Sequence, residues 1–164
     1  MTKRLVFLAF FLASATSGPV EAKPKHCRHC YCSVSATNVN FGAYDTLSQL
    51  AVDSAGDVEV SCGTDTIGDV MSYSIELSGA KKGRKPRKMK GPRRYRLYYN
   101  LYTDVSRTII WGEDEGSAAA VNDSYTFVTL CCETRNYTSY GRIDADQNVA
   151  PGLYRDVIVV EVEF

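Results

Sequence analysis

Hydrophobic and polar residues alternate with a period of two along most of the chain. In "DVEVSC", Val58, Val60 and Cys62 share one face, with Asp57, Glu59 and Ser61 on the other. "MSYSIELS" repeats the pattern, setting Met71, Tyr73, Ile75 and Leu77 against Ser72, Ser74, Glu76 and Ser78. "YRLYYNLY" places Tyr95, Leu97, Tyr99 and Leu101 together, and "RTIIWG", "YTFVTL" and the terminal "YRDVIVVEVEF" add further candidates. Successive side chains of a strand point to opposite sides, so this alternation predicts strands with one buried face. They recur at short intervals between Gly, Asn and Asp, and no window of useful length has helical periodicity. The prediction is an all-β domain, an antiparallel sandwich or barrel. The first strand, "CSVSATNVNF", alternates Cys32, Val34 and Ala36, then slips phase to Val39 and Phe41. A bulge or bend near Thr37-Asn38 would produce that slip.

The N-terminus departs from this pattern. Met1-Thr2-Lys3-Arg4 is a positive stretch, Leu5–Ala13 is unbrokenly apolar, and small residues follow, with cleavage candidates at Val20-Glu21-Ala22 and Ala13-Ser14-Ala15. This is the anatomy of a secretory signal. Nine apolar residues would span only ~14 Å as a helix, about half a bilayer core, which argues against a membrane anchor. The reading divides the chain into a signal peptide (1–22), a short basic tail (23–31) and one β domain (32–164). Export changes how the six cysteines read, because an even count in an oxidising compartment favours disulfides. Cys32 faces inward with Val34 and Cys62 with Val60, so these two are expected to bridge their strands. Adjacent Cys131 and Cys132 do not pair easily with each other. Cys27 and Cys30 supply the right number of partners, although local pairing at either site stays open.

Charge is distributed unevenly. "KKGRKPRKMKGPRRYR" (81–96) holds ten Lys and Arg in sixteen positions: Lys81, Lys82, Arg84, Lys85, Arg87, Lys88, Lys90, Arg93, Arg94 and Arg96. The whole chain has a formal net charge of zero, so the rest is acidic. The run lies between two strands and contains Gly83, Pro86, Gly91 and Pro92, which argue against a groove-reading helix. It is expected to be a long solvated loop. Its candidate ligand is an anionic surface or polysaccharide, and nucleic acid is not expected.

Other chemistry finds little support. "HCRHCYC" has two His and a Cys-x-x-Cys, but export and the expected use of Cys32 favour disulfides over a metal, so no metal and no cofactor are expected. "DADQN" (144–148) fails as a calcium loop, because Val149 stands at the sixth position and Arg155 at the twelfth. The only histidines, His26 and His29, lie in the tail, and no nucleophile–base pair is visible. An enzyme is not expected, and no catalytic residue is assigned.

Four segments together carry a resemblance: "CSVSATNVNFGAYDTLS", "VEVSCG", "YNLYTDVSRTIIWGE" and "YGRIDADQNVAPGLYRDVIVVEVEF". In this order, over most of 32–164, they resemble the spore coat protein U domain family, which includes pilins of archaic chaperone–usher systems. The resemblance implies an immunoglobulin-like antiparallel sandwich lacking its last strand. It also implies a hydrophobic groove beside the C-terminal strand, filled first by a periplasmic chaperone and later by the N-terminal extension of another pilus subunit at an usher. Ile158, Val160, Val162 and Phe164 would face that groove. The sequence departs from the pattern in "KPKHCRHCY" (23–31), which is short, basic and not an alternating donor strand. That suits a tip, a capping subunit or a free-standing coat protein. The expected role is a structural or adhesive subunit of a surface fibre or coat, exported through the periplasm to the cell surface. The alternative is a self-contained coat protein that binds anionic surfaces through the basic run.

Overall fold

The computed structural model describes Cys27 and residues 29–80, 85–113 and 118–164. The expected leader, His26, Lys81, Lys82 and Arg84 lie outside the described residues. Ten strands follow in chain order: β1 (Tyr31–Ala36), β2 (Val52–Gly63), β3 (Val70–Leu77), β4 (Arg87–Lys90), β5 (Arg96–Tyr102), β6 (Ile110–Trp111), β7 (Ala118–Ala119), β8 (Val121–Thr126), β9 (Glu133–Ile143) and β10 (Val160–Glu163). A single 3-10 turn, Pro92–Arg94, is the only helical element among the described residues. The larger sheet has the order β1-β2-β9-β5-β6-β7, with β4 beside β5; the smaller is β10-β3-β8. Neighbours are antiparallel except β6 and β7. The fold is an all-β sandwich of two sheets.

The period-two residues build the shared core. Val58, Val60 and Cys62 from β2 and Leu97, Tyr99 and Leu101 from β5 meet Met71, Tyr73, Ile75 and Leu77 from β3, all buried. Each aliphatic side chain so buried contributes about 1.5–3 kcal/mol, enough for the alternation to fix which face turns inward. Trp111, also fully buried, ties the two sheets by donating its indole N–H to the Ile75 carbonyl at 2.9 Å.

β1 ends at Ala36, and the phase slip beyond it is a chain that leaves the ladder. Thr37 bonds to Asp57 through both its amide and its hydroxyl, and Val39 and Phe41 then pack over β2 and β9. The crossing needs a glycine beneath it, since a Cβ on Gly141 would sit 2.7 Å from the Phe41 ring.

Several strands differ from the sequence expectation: β8 ends at Thr126, so most of "YTFVTL" is loop, and β7 precedes it. β4 lies inside the supposed loop, paired with β5 from Arg87↔Tyr99 to Lys90↔Arg96. β9, eleven residues long, is central to the larger sheet. Its inward positions Arg135, Tyr137 and Ser139 are polar, so no apolar alternation announces it.

Candidate functional site

β10 is four residues long and forms one edge of the smaller sheet, with Val160 opposite Leu77 and Val162 opposite Ile75. β1 is an edge of the larger sheet. A cleft of about 1300 Å³ opens beside β10, running from the end of β1 to the C-terminal segment. Core residues Val58, Leu77, Leu97, Leu101 and Ile143 reach its walls, together with Ile158 and Val160. Folded interiors hold few voids larger than one water. The cleft is thus larger than an ordinary packing void and reaches residues of the core.

The long segment after β9 walls the cleft by borrowing hydrogen bonds. The Gln147 amide accepts the Tyr98 N–H at 2.7 Å and donates to the Tyr98 carbonyl at 2.8 Å, taking the place of a neighbouring strand. Its own N–H donates to the Tyr44 hydroxyl, which donates to the Asp144 carbonyl. Tyr99 donates to the Asp156 carboxylate at 2.9 Å, and burial followed by that carboxylate pushes the phenol well above its usual range.

The predicted groove face divides. Ile158, Val160 and Val162 are partly buried against the core, whereas Phe164 is 65% exposed. The ladder with β3 ends at Glu163↔Ser74, so nothing stands opposite the last ring; it borders a shallow depression with Ser72, Ser74 and Asn122 instead. Phe164 thus differs from the other three in lying beyond the β3–β10 ladder.

The basic run divides as well. Arg87 is not a surface contact but is 2% exposed. It donates to the carbonyls of Ser78, Leu77 and Trp111 at 3.0, 2.9 and 2.7 Å. Burial lowers its pKa, though a guanidinium remains charged under any ordinary condition. The reason is strand parity: on β4, Arg87 and Met89 face inward, while Lys88 and Lys90 face solvent. Lys85, Arg93 and Arg94 are exposed and Arg96 is half-buried.

Cys32 and Cys62 are directly opposite on β1 and β2 and form a disulfide. The other four cysteines pair locally, Cys27 with Cys30 and Cys131 with Cys132, rather than bridging the tail to the later strand. The two pairs nevertheless lie near each other, both meeting Thr64, and the Tyr31 hydroxyl lies 3.6 and 3.8 Å from the Cys131 and Cys132 sulfurs. Cys27 is drawn to the start of β3, where its N–H donates to the Val70 carbonyl, while Cys131 follows β8 at a loop whose N–H bonds to Thr64. The Cys27 sulfur also lies 3.3 Å from the buried Asp69 carboxylate, so Cys27, Cys30 and Asp69 have the donor set of a metal site. With the two sulfurs joined to each other, the thiolates such a site requires are not available.

Sequence reasoning missed an inter-sheet polar cluster. Tyr73 bonds Tyr137, which donates to Asp123; Arg135 pairs with Asp123 at 3.4 Å and stacks over the Tyr125 ring at 4.5 Å. Only the run of inward tyrosines signalled it. The "YTD…R…WG" residues also prove structural. Asp104 closes its turn by accepting from the Thr108 and Ile109 amides, and Arg107 reaches the Gly141 carbonyl and the Asp53 carboxylate.

The sequence pattern of the Spore Coat Protein U domain matches residues 18–161. The chain belongs to this family. The matched range contains Arg107, Trp111, Gly141 and Gln147, whose contacts described above hold the sandwich together. No curated protein matches the chain. Among solved structures it is similar to the CsuC–CsuE chaperone–tip adhesion subunit pre-assembly complex from archaic chaperone–usher Csu pili of Acinetobacter baumannii, at 20% identity and a TM-score of 0.49, covering 82% of this chain. The chain spans 40% of the length of that relative. It is also similar to the E. coli Hda pilus minor tip subunit HdaB, at 13% identity and a TM-score of 0.38, covering 81% of this chain and 80% of that one.

Proposed function

We propose that the chain is an exported structural subunit of a bacterial surface fibre, and that its cleft is completed by a strand from another protein. The observation that carries this reading is the open cleft beside β10, with core residues Leu77, Leu97, Leu101 and Ile143 in its walls. An extended segment laid along the outer edge of β10 would pair its backbone there and drop alternate side chains into the cleft. A periplasmic chaperone supplies that strand first, and a neighbouring subunit replaces it at the usher. Cys27 bonds to the chain's own β3, so the described part of the tail rests on this domain. That favours a receiving position, at a tip or cap. The role is structural rather than catalytic.

The test is periplasmic expression of the chain alone and with a co-expressed pilus chaperone, followed by size exclusion and thermal melting. A chain stable only in a one-to-one complex is expected. Val160→Lys combined with Val162→Lys is expected to abolish capture while leaving export intact. A lone monomer that melts cooperatively, or capture unimpaired by the two lysines, overturns the reading in favour of a self-contained coat protein.

A further inference from the structure

We propose that the outward face of the β4–β5 ribbon binds an anionic polysaccharide, a glycan bearing carboxylates or sulfates, centred on Lys90, Arg96 and Arg155. Apart from buried Arg87 and Lys85 before β4, the described cations fall into two groups. Arg107, Arg135 and Arg142 lie away from the ribbon and are each ion-paired with Asp53, Asp123 or Glu133. Lys88, Lys90, Arg93, Arg94, Arg96 and Arg155 have no ion pair among the described residues. Positive charge without a counter-charge is therefore gathered in one place.

Backbone pairing then lines up three of these cations. Lys90 stands directly opposite Arg96 on β5. On its other side it bridges Arg155, with N–H to carbonyl bonds of 2.7 and 3.0 Å in both directions. Residues directly opposite in an antiparallel ladder have side chains on one face, with Cα atoms about 4.5–5.5 Å apart. Arg96, Lys90 and Arg155 thus form a row across three adjacent backbone segments. Like charges placed opposite one another weaken a sheet; the Arg96 guanidinium donates to the carbonyls of Arg94 and Tyr95 at 3.4 and 3.3 Å, but no carboxylate pairs with the row.

The end of the ribbon carries a second cost. Arg93 and Arg94 have φ values of 47° and 70°, the left-handed region that suits glycine, yet both are exposed arginines. Two independent features that disfavour folding converge on concentrated, unpaired positive charge. Beside the row, Lys88 lies opposite Tyr98, and Tyr98 and Tyr95 are 46% and 44% exposed. The Tyr98 ring offers a flat apolar face to a sugar ring next to the cations, and exposed Tyr95, just before β5, adds a second at the ribbon's end. Arg155, some sixty residues away in sequence, completes the row, and no reading of the basic run alone could include it.

The inference stands apart from the strand-acceptor reading. Met89, Leu97 and Tyr99 of the same ribbon face the cleft, while Lys88, Lys90, Arg96 and Tyr98 do not border it; of the row only Arg155 also lies at the cleft's rim, so Lys90 and Arg96 stay accessible whether or not the cleft is filled.

The test is retention of the full chain, purified with any strand-supplying partner it requires, on beads carrying polygalacturonate, dextran sulfate, neutral dextran or polyphosphate. Retention is expected on the two anionic glycans and not on neutral dextran, and it should fall steeply as salt rises. Lys90→Gln with Arg96→Gln and Arg155→Gln should lower affinity by at least about tenfold at unchanged melting temperature, whereas Lys90→Arg with Arg96→Lys and Arg155→Lys should retain it. Tyr95→Ala with Tyr98→Ala should weaken binding to polygalacturonate but not to polyphosphate. Unchanged affinity in the triple Gln variant overturns the proposal. So does tighter binding to polyphosphate than to both glycans with no effect of the tyrosine changes, which would make the site a general phosphate binder.

Discussion

Arg87→Met replaces a buried guanidinium with an apolar chain of comparable reach, and removes the donors that serve the carbonyls of Leu77, Ser78 and Trp111. Those carbonyls belong to β3, the turn after it and β6, so one side chain ties both sheets together at this point. Each buried acceptor left without a donor costs about 1–3 kcal/mol. Part of this is offset because methionine does not have to be stripped of a charge's hydration, a cost already visible in the lowered pKa of Arg87. The net loss is about 3–6 kcal/mol, a large share of the ~5–15 kcal/mol that holds a domain together. With a urea slope of about 2 kcal/mol/M, the unfolding midpoint of the strand-bound complex should drop by about 1.5–3 M. Arg87→Lys should fall between, because an ammonium cannot fork to three fixed acceptors. Lys88→Met, one residue along and facing solvent, should change stability by no more than about 0.5 kcal/mol. A midpoint for Arg87→Met within about 0.3 M of the unsubstituted protein would refute the assignment of Arg87 as a structural tie.

Two further outcomes are expected. Replacing Cys32 and Cys62 together by alanine should cost roughly 3–4 kcal/mol in urea unfolding, because their bridge spans thirty residues, whereas the same change at adjacent Cys131 and Cys132 should cost under about 1 kcal/mol. Burial raises the phenol pKa of Tyr73, Tyr125 and Tyr137, that of Tyr125 to about 12, so the folded state keeps protons that the unfolded chain releases near pH 10. That contribution is fully present below about pH 10 and lost as pH rises toward 12; Tyr137→Phe should flatten the alkaline decline, and uniform phenolate absorbance appearing near pH 10 in the folded protein would contradict it.

The strands that read clearly from sequence are those whose inward positions are all apolar or tyrosine. β2, β3 and β5 meet that condition, and their alternation alone places Val58, Ile75 and Leu101 in the core. β9 fails it because its inward Arg135 and Tyr137 are satisfied by Asp123, a partner whose position depends on the packing of the sheets. β4 fails it because Arg87 occupies a core position by meeting three carbonyls that only the folded chain brings together. The same gap affects the cleft. Ile158 and Val160 are legible from alternation in the last strand, but the share of Leu97 and Ile143 in its walls requires the sheet order. Phe164 follows the same parity and still faces out, since alternation cannot tell where the neighbouring strand stops.

The proposed completion of the cleft beside β10 by another chain has a consequence for what stability means in this protein. When Leu77, Leu97, Leu101 and Ile143 border a space that another chain fills, the free energy of folding acquires a mass-action term. A segment present at 100 times its dissociation constant adds about 2.7 kcal/mol, and at 1,000 times about 4.1 kcal/mol. Melting temperature, protease resistance and lifetime of the chain then vary with the concentration and the sequence of whatever lies in the cleft, so each occupant defines a different protein from the same gene product.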